Sequence, residues 1–359
     1  YIINEVNQKM SKMKVAIVGC GRISGVYKGS FERLSDEVEV LYAVDTVLEK
    51  AEEFASHFDG CTALTDYREI LGSDVDVVHI ATPHNLHAPQ AIDFMNHGHH
   101  VLTEKPMATT LEDADAMIAC AEENDVKLGV IFQTRYVRGC TELKEMIEEG
   151  KLGNLLGARS YLSWSRPDSY YEQSDWKGTW DKEGGGVLID QAIHSLDRVL
   201  WLMGSDIEWI HGSMDNRSHK AVHVEDTAEA LVKFENGALY QLYACNVYPI
   251  DAPIQIEIVG DKGKAGLVQD TAWVHLDGEE RYEIEQNFEG VAVGPSYWGT
   301  SHVLQIQDFY GSIIEDRPFC LNGKEGRKAL ELVLGIYQSA RLNKKIELPF
   351  KDLIDHSPL

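Results

Sequence analysis

The chain has 359 residues, of which 44% are hydrophobic and 25% charged, and its formal net charge is -25 at pH 7. This length exceeds one ordinary hydrophobic core and favours two domains of a globular protein. The negative charge argues against a nucleic acid or an anionic membrane as a partner, because both require a basic face. It does not exclude a nucleotide cofactor whose phosphates are held by backbone amides.

Targeting and metal-binding signals are absent from the sequence. Its apolar stretches are all shorter than eighteen residues, so no transmembrane helix is expected, and residues 1–13 predict a polar N-terminal extension. The six cysteines lack a C-x-x-C pair, which is typical of free thiols in a reducing compartment. His97, His99 and His100 cluster without partners at a recognised ligand spacing. We therefore expect a cytoplasmic protein without a metal site.

The first third of the sequence alternates short runs rich in valine and isoleucine with helix-like segments. The runs are KVAIVG (14–19), VEVLYAV (38–44), VDVVHIAT (75–82), HHVLTE (99–104) and KLGVIFQ (127–133). Helical patterns between them include 88–97 and 110–123. Strands that alternate with helices indicate parallel βαβ units. Residues 14–135 are therefore predicted to form an α/β Rossmann-type domain with a doubly wound parallel sheet.

From about residue 155 the apolar runs are longer and alternate more clearly with polar residues. The predicted strands are LLGARSYLSW, TAEALVKF, ALYQLYACNV, IQIEIVG and AWVHLD. Asn236-Gly237, between two of them, predicts a hairpin. Helices are expected near 187–203, 302–315 and 324–341, the last packing back on the body. Residues 136–359 thus predict an α+β second domain with a large, mostly antiparallel open sheet.

The first predicted strand leads into the glycine loop GCGRISG. Gly19 permits a tight turn, and Gly21 lets a pyrophosphate approach the backbone at the start of a helix. Ser24 occupies the usual third glycine position and is small enough for close packing. Because the loop follows a strand and opens a helix, it predicts a dinucleotide site that includes Arg22 and Ile23.

The second predicted strand ends in Asp45, twenty residues beyond Gly25. A carboxylate at this place can accept hydrogen bonds from the adenosine ribose hydroxyls and would repel a phosphate there. No arginine follows it in DTVLEK. The sequence therefore favours NAD over NADP.

A second group of motif residues lies in GTWDKEGGGVLIDQAIHSLD, residues 178–197. Three glycines allow backbone and ligand to approach the start of a helix, and Asp190 and His194 are predicted to share one face of that helix. A carboxylate within reach of an imidazole can fix its orientation and favour its protonated form. An isolated pair of this kind is structural in many proteins, and the glycines favour a functional site.

These motifs and the TEKP segment at 103–106 resemble those of the Gfo/Idh/MocA oxidoreductases. The resemblance runs from about Lys14 to the C-terminal helix. It implies that Lys105 enters the active site from the first domain, with Glu104 beside the cofactor. It also implies that Asp190 and His194 are the acid/base pair of the second domain.

Oxidation of an alcohol by hydride transfer requires that its hydroxyl lose a proton. His194 is the candidate base and Asp190 its orienting partner, while Lys105 would bind the same oxygen as a cation. Lys105 could instead be the base if burial lowers its pKa. The sequence does not decide between these two roles.

Other candidate contacts come from the resemblance and from residue chemistry. Family-like cofactor positions are Thr82, Pro83, His87, Gln133 and Trp176, and Lys177 beside Trp176 lies where relatives often reach cofactor or substrate. Rings with one arginine suit stacking on a sugar, although plain packing explains them equally well; these are Trp164, Arg166, Tyr170 and Tyr171. Tyr297 and His302, at a predicted helix start, are further candidates for the same pocket.

We therefore expect an NAD-dependent dehydrogenase or reductase that acts on CH-OH groups, with a sugar, inositol or glycoside as its substrate. The resemblance implies a homo-oligomer, a dimer or tetramer, because the second-domain sheets of this family commonly pair between subunits. Two alternatives keep the fold. One is an NAD-retaining glycoside-modifying enzyme with transient oxidation and net hydrolase or lyase chemistry, and the other is a non-enzymatic NAD-binding regulator.

Overall fold

The structure is a computed structural model that describes residues 12–220, 222–284 and 301–351. Its first sheet contains the valine- and isoleucine-rich runs of the N-terminal third, and every strand pair in it is parallel. The strands are β1 Met13–Val18, β2 Val38–Val44, β3 Thr62–Leu64, β4 Val77–Ile80, β5 His100–Thr103 and β6 Leu128–Val130. The prediction of a parallel sheet is confirmed, with β3 as an additional short strand.

The order of this sheet is β3-β2-β1-β4-β5-β6, so the direction of strand addition reverses between β1 and β4. Helices alternate with the strands: α1 Ser24–Arg33, α2 Leu48–Ala55, α3 His84–Met95 and α4 Leu111–Glu123. Thr110 caps α4, since its hydroxyl accepts a hydrogen bond from the amide of Asp113 at 3.1 Å. The loops after β1 and β4 therefore open into a crevice at the carboxyl ends of the strands, where ligands bind in doubly wound folds.

The second sheet is larger and mostly antiparallel, as predicted. Its strands are β7 Leu155–Ser163, β8 Ile207–Asp215, β9 Thr227–Phe234, β10 Leu239–Cys245, β11 Gln255–Gly260, β12 Gly263–Val268, β13 Thr271–Leu276, β14 Tyr282–Glu283 and β15 Ile346–Glu347. Their order is β14-β13-β12-β11-β7-β10-β9-β8-β15. The Asn236-Gly237 turn joins β9 to β10 as expected, and β7 and β10 pair in parallel.

The other helices of the described residues are α5 Arg138–Glu148, α6 Asp168–Glu172, α7 Ile193–Met203, α8 His302–Ile314 and α9 Gly323–Leu342, and a π-helical turn, Leu188–Ala192, leads directly into α7. Of these, α5, α7 and α9 pack on the second sheet, whereas α8 packs on α1. The helix α9 contacts both β8 and β6 and so joins the two sheets. Gly326 permits this approach, because a Cβ there would come within 2.6 Å of Val130. Among the described helices, none is both long and apolar enough to cross a membrane.

A buried ion pair fixes the first sheet to the helices of the second. Arg135 lies in the 3-10 turn that follows β6, and its guanidinium donates to both carboxylate oxygens of Asp197 on α7, at 2.8 and 2.6 Å. A third bond reaches Glu325 on α9 at 3.1 Å. Arg135 and Asp197 are both buried, so each charge depends on the other for its compensation.

We expect Asp197→Ala to lower the free energy of unfolding by about 3 kcal/mol, because it leaves the buried guanidinium of Arg135 without its main partner. Urea unfolding followed by tryptophan fluorescence measures the change. Asp215→Ala, at the exposed end of β8, is the control and should shift stability by less than about 0.5 kcal/mol. Equal effects of the two substitutions would contradict the structural role of the pair.

Candidate functional site

The glycine loop lies at the strand-order reversal and leaves open space over its backbone. Gly19 has a φ of +100°, and a Cβ there would lie 2.5 Å from the carbonyl oxygen of Ala81, so only glycine fits. Gly21 has no heavy atom within 4 Å of the position of a Cβ. The hydroxyl of Ser24 donates to the Gly21 carbonyl at 2.7 Å at the start of α1. The cradle above Gly21 therefore has the shape and the helix N-terminus that a pyrophosphate requires.

Asp45 follows β2 and holds this loop in place. One carboxylate oxygen accepts the amide of Cys20 and the other accepts the amide of Val47, both at 2.9 Å. The side chain is half-buried, so its remaining lone pairs can accept ribose hydroxyls. Of the other two predicted loop residues, Arg22 is exposed and Ile23 is half-buried.

His87 connects the loops that follow β4 and β5. Its Nδ1 lies 2.7 Å from the carbonyl oxygen of Pro106, and its Nε2 lies 2.8 Å from that of Thr82. The ring is fully buried, so it acts on the crevice through these loops and not by direct contact. The hydroxyl of Thr82 donates to Gln90 at 2.7 Å, and Pro83 is half-buried where α3 begins.

Glu104 and Lys105 leave the end of β5 in different directions. Glu104 is buried and accepts the hydroxyl of Tyr27 on α1 at 2.9 Å, and burial raises the pKa of Glu104 above its usual value. The Nζ of Lys105 crosses to the second sheet's helices, where it donates to the backbone carbonyl of Asp190 at 2.7 Å and lies 3.4 Å from its Oδ1. The structure therefore brings two of the predicted catalytic residues together.

Asp190 lies in the π-helical turn and is surrounded by donors. Its Oδ2 accepts the hydroxyl of Tyr170 at 2.8 Å and the amide of Gln191 at 2.5 Å, and the Nζ of Lys177 lies 3.3 Å away. Burial alone would raise the pKa of Asp190, but the charges of Lys177 and Lys105 hold it well below its usual value. Asp190 is therefore an anion in this site.

His194 is half-buried close to Lys105 but makes no hydrogen bond with Asp190. Its Nδ1 has no partner among the described residues, and its ring packs edge-on against Phe132 with centroids 5.7 Å apart. The expected orienting contact from Asp190 is not formed among the described residues, where four other donors bind that carboxylate. Burial, followed by the charges of Lys105 and His302, lowers the pKa of His194 well below its usual value. The imidazole is therefore neutral and able to accept a proton.

The predicted aromatic and arginine residues form the walls of this region. Trp164 donates its indole N–H to the carbonyl of Ala252 at 3.2 Å, and Arg166 lies over its ring and pairs with Asp251 at 3.0 Å. The hydroxyl of Tyr171 accepts the side-chain amide of Asn246 at 2.7 Å. Trp164, Arg166 and Tyr171 are buried. Packing within the protein therefore explains the contacts of Arg166 and Tyr171.

A small cavity adjoins His194, and some of the remaining predicted residues reach it. Residues that line it include Gln133, Trp164, Gln191, His194, Arg198 and Ser301. His302 is buried at the start of α8, and burial followed by the charge of Lys105 lowers its pKa to about 3. Trp176 packs on His84 of α3 with centroids 4.9 Å apart, away from the residues named for the cavity. Tyr297 lies outside the described residues.

Several residues of the site were not singled out from the sequence. Asn246 bridges Tyr171 to Gln191, and Gln191 in turn binds Asp190. Gln191 stands next to Asp190 in the glycine motif, which was a usable signal. Asn246 lies just past β10, and no local pattern marks it, because its partners are more than fifty residues away.

Glu225 clamps the glycine motif that carries Asp190. Its carboxylate accepts the amides of Gly186 and Leu188 at 2.8 and 3.0 Å and the hydroxyl of Tyr337 at 2.8 Å. Burial raises the pKa of Glu225 to about 7 despite these donors. A Cβ on Gly186 would lie 2.0 Å from the Glu225 carbonyl oxygen, so glycine is required for the clamp.

Comparison with known families covers more than half of the chain. Residues 13–132 match the oxidoreductase family with an NAD-binding Rossmann fold, GFO/IDH/MocA, and residues 140–266 match the GFO/IDH/MocA C-terminal domain. The prediction of this family and of its NAD-binding domain is confirmed.

Individual relatives match over nearly their whole length. Myo-inositol 2-dehydrogenase of Thermotoga maritima is 27% identical over 95% of this chain and 100% of its own. D-glucoside 3-dehydrogenase of Escherichia coli is 23% identical over 94% of this chain and 98% of its own. The WlbA dehydrogenase of Bordetella pertussis, solved with NADH and UDP-GlcNAcA, superposes with a TM-score of 0.83. It is 29% identical, and the match covers 95% of this chain and 100% of that chain.

We expect Gly21→Ala to weaken NAD binding at least about tenfold, because the new methyl group fills the cradle that a pyrophosphate would occupy. Stability should change by less than about 0.5 kcal/mol, since nothing in the protein contacts that methyl. Calorimetric titration and thermal unfolding measure the two quantities. Gly72→Ala, also into open space but away from the loop, is the matched control. Unchanged NAD affinity in Gly21→Ala would place the cofactor elsewhere.

The raised pKa of Glu225 predicts a pH-dependent contribution to stability. Its folded-state pKa of about 7 exceeds the ordinary value of 4.5, so the contribution is full below pH 4.5 and is lost as the pH rises through 7. The stability advantage of wild type over Glu225→Gln should therefore shrink by about 3 kcal/mol between pH 4.5 and 8. Urea unfolding at several pH values measures it, with Glu229→Gln, exposed on β9, as the control. An advantage that stays constant over this pH range would show that the pKa of Glu225 is the same in the folded and unfolded states.

Proposed function

This chain belongs to the Gfo/Idh/MocA family of NAD-binding oxidoreductases, and from this premise we propose that it oxidises a ring hydroxyl of a sugar or cyclitol, or reduces the corresponding ketone. One observation carries the proposal. Lys105, at the edge of the NAD-binding sheet, meets Asp190 of the second domain, with His194 close enough for the charge of Lys105 to lower its pKa. A cation, an anion and a neutral base thus converge beside the crevice.

NAD fits the residues of the crevice. The open backbone at Gly21 and the start of α1 would hold the pyrophosphate, and Asp45 would accept the adenosine ribose hydroxyls. When bound, the cofactor supplies the nicotinamide that accepts or returns a hydride. A carboxylate at Asp45 disfavours a 2′-phosphate, which supports NAD as the preferred form.

The side chains around Asp190 can manage the proton and the charge on the reacting oxygen. Lys105 carries three N–H donors, of which the carbonyl and carboxylate of Asp190 accept two, so one is left for the substrate oxygen. His194, neutral and half-buried, accepts the hydroxyl proton as that oxygen becomes a carbonyl. In the reverse direction His194 returns the proton and Lys105 stabilises the developing alkoxide.

The relatives support a carbohydrate or polyol as the substrate class. Their names specify an inositol, a glucoside and a nucleotide sugar, which share a saturated ring with vicinal hydroxyls. The cavity beside His194 offers hydroxyl-binding groups from Gln133, Gln191 and Ser301 together with the indole of Trp164. Amide donors and acceptors with one aromatic face are suited to a polyhydroxylated ring.

We also propose that the protein assembles into a dimer or tetramer through the uncovered face of the second sheet. Leu231 on β9 and Leu239 on β10 are 38% and 42% exposed on that face. Adjacent apolar side chains on an otherwise polar sheet suit sheet-to-sheet packing. Light scattering of wild type and Leu231→Glu would test it.

The function is tested by NADH absorbance with inositols, sugars, nucleotide sugars and glycosides. Wild type should reduce NAD with one substrate class, and Lys105→Ala should lower kcat by about a hundredfold or more while NAD still binds. Lys262→Ala, an exposed lysine between β11 and β12, is the matched control and should keep full activity.

Two other outcomes would revise the function. A burst of NADH stoichiometric with the enzyme, together with cleavage of the glycoside, would indicate the NAD-retaining glycoside-modifying reaction. Bound NAD without turnover of any compound in the panel would overturn the dehydrogenase proposal and favour a regulator.

A further inference from the structure

Asp190 is shared by two buried ammonium groups, only one of which comes from the E-K-P motif. Lys105 approaches its Oδ1 at 3.4 Å, whereas Lys177 approaches its Oδ2 at 3.3 Å. The side chain of Lys177 is 19% exposed, little more than that of Lys105 at 14%. Lys177 thus shares the environment of the catalytic candidates, yet the function proposed above gives it no role.

Lys177 is held in place by two rings and a hydroxyl. Its Nζ lies 4.2 Å from the centroid of Tyr170 and 5.0 Å from that of Trp176, and it also contacts the Tyr170 hydroxyl. Burial works against the charge of the amine, but Asp190 and the other polar groups that face it together outweigh burial and raise the pKa of Lys177. A desolvated cation between two aromatic faces has little freedom to turn away from its anion.

Glu183 is the other carboxyl group near Lys177, and it does not compete strongly for the cation. Its Oε2 accepts the amide of Gly178 at 2.5 Å, and its Oε1 has no partner among the described residues. Burial, followed by the charge of Asp190, raises the pKa of Glu183 well above its usual value, which favours its neutral form. Asp190 is therefore the anion that Lys177 stabilises.

The donors around Asp190 divide its two oxygens between them. Oδ2 accepts hydrogen bonds from Lys177, Tyr170 and Gln191. Oδ1 is contacted by Lys105. If Lys177 were neutral or absent, Lys105 would be the remaining cation on this carboxylate. The carboxylate could then turn towards Lys105 and engage the donor that the substrate oxygen needs.

We propose that Lys177 is a positioning residue that fixes Oδ2 of Asp190 and thereby keeps Lys105 available for the substrate oxygen. The inference rests on the proposed function, since it assigns a role within the same site. Lys177 also connects the carboxylate to the first sheet's helices. It stacks on Trp176, which in turn packs on His84 of α3. The positions of Asp190 and of the crevice are thus linked through side-chain contacts.

Lys177→Met removes the charge and the donor while keeping the length of the side chain. We expect kcat to fall about tenfold to a hundredfold with NAD affinity unchanged, because only the reacting centre is disturbed. The acid limb of the kcat profile should move up by about one pH unit, since Asp190 loses its strongest cation. Lys177→Arg should recover most of kcat, and Tyr170→Phe should show a smaller loss in the same direction.

Lys182→Met is the matched control, because Lys182 belongs to the same segment but is exposed and pairs with Asp175 at 3.0 Å. It should leave kcat and the pH profile unchanged. The inference is overturned if Lys177→Met keeps the wild-type kcat and acid limb, or if it weakens NAD binding alone. If Lys177→Met does not fold, Lys177→Arg and Tyr170→Phe carry the same comparison.

A structural readout separates this inference from the proposed function. Crystal structures of wild type and Lys177→Met should differ in the Asp190 side chain, with the carboxylate rotated towards Lys105 in the variant. An unmoved carboxylate overturns the positioning role even when wild type is an active dehydrogenase. A rotated carboxylate supports it even if wild type turns over none of the sugars tested, an outcome that would count against the proposed function alone.

Discussion

The burial of one carboxylate, Asp190, is the constraint on which the arrangement of the two domains depends. A buried anion is tolerated only when donors and cations surround it. Here they come from four separate places: the loop after β5, α6, the segment before the glycines, and the π-helical turn itself. Each of these places must be held accurately for the site to exist. The Glu225 clamp and the Arg135–Asp197 pair serve that requirement, since they fix the turn and the helix that follows it.

Neutral histidines surround this small group of charges. His84 and His302 are buried and His194 is half-buried. Burial lowers the pKa of each, and the charge of Lys105 lowers each further. Two ammonium groups against one carboxylate leave the centre with an excess of positive charge. That balance suits a reaction in which negative charge develops on a substrate oxygen. It also explains how a base can stay unprotonated next to a lysine.

Local patterns in the sequence predicted many of the elements but not their mutual contacts. The strand–glycine–helix order at Gly19 and the Asn236-Gly237 hairpin are set by residues close together in the chain, and both were predicted. The strand β12, GKAGLV, was missed because its two glycines weaken the alternating pattern. The orienting role of Asp190 towards His194 was expected from their spacing, the preceding glycines and the family resemblance. In the structure Tyr170 and Lys177 bind the carboxylate instead. His87 was expected to contact the cofactor, and backbone carbonyls lie against both of its nitrogens.

The segment from Trp164 to Trp180 shows why such contacts resist prediction. Its one helix, α6, has five residues, and stacking holds much of the rest: Trp164 on Arg166, Arg166 on Tyr170, Tyr170 on Lys177 and Lys177 on Trp176. Alternating cations and rings leave no periodic apolar signal, because each contact is defined in three dimensions. A buried ion pair such as that of Lys177 with Asp190 adds little stability compared with apolar residues of the same size. The contribution of these contacts is to orientation, and the proposed hydride transfer would depend on the orientation of Asp190.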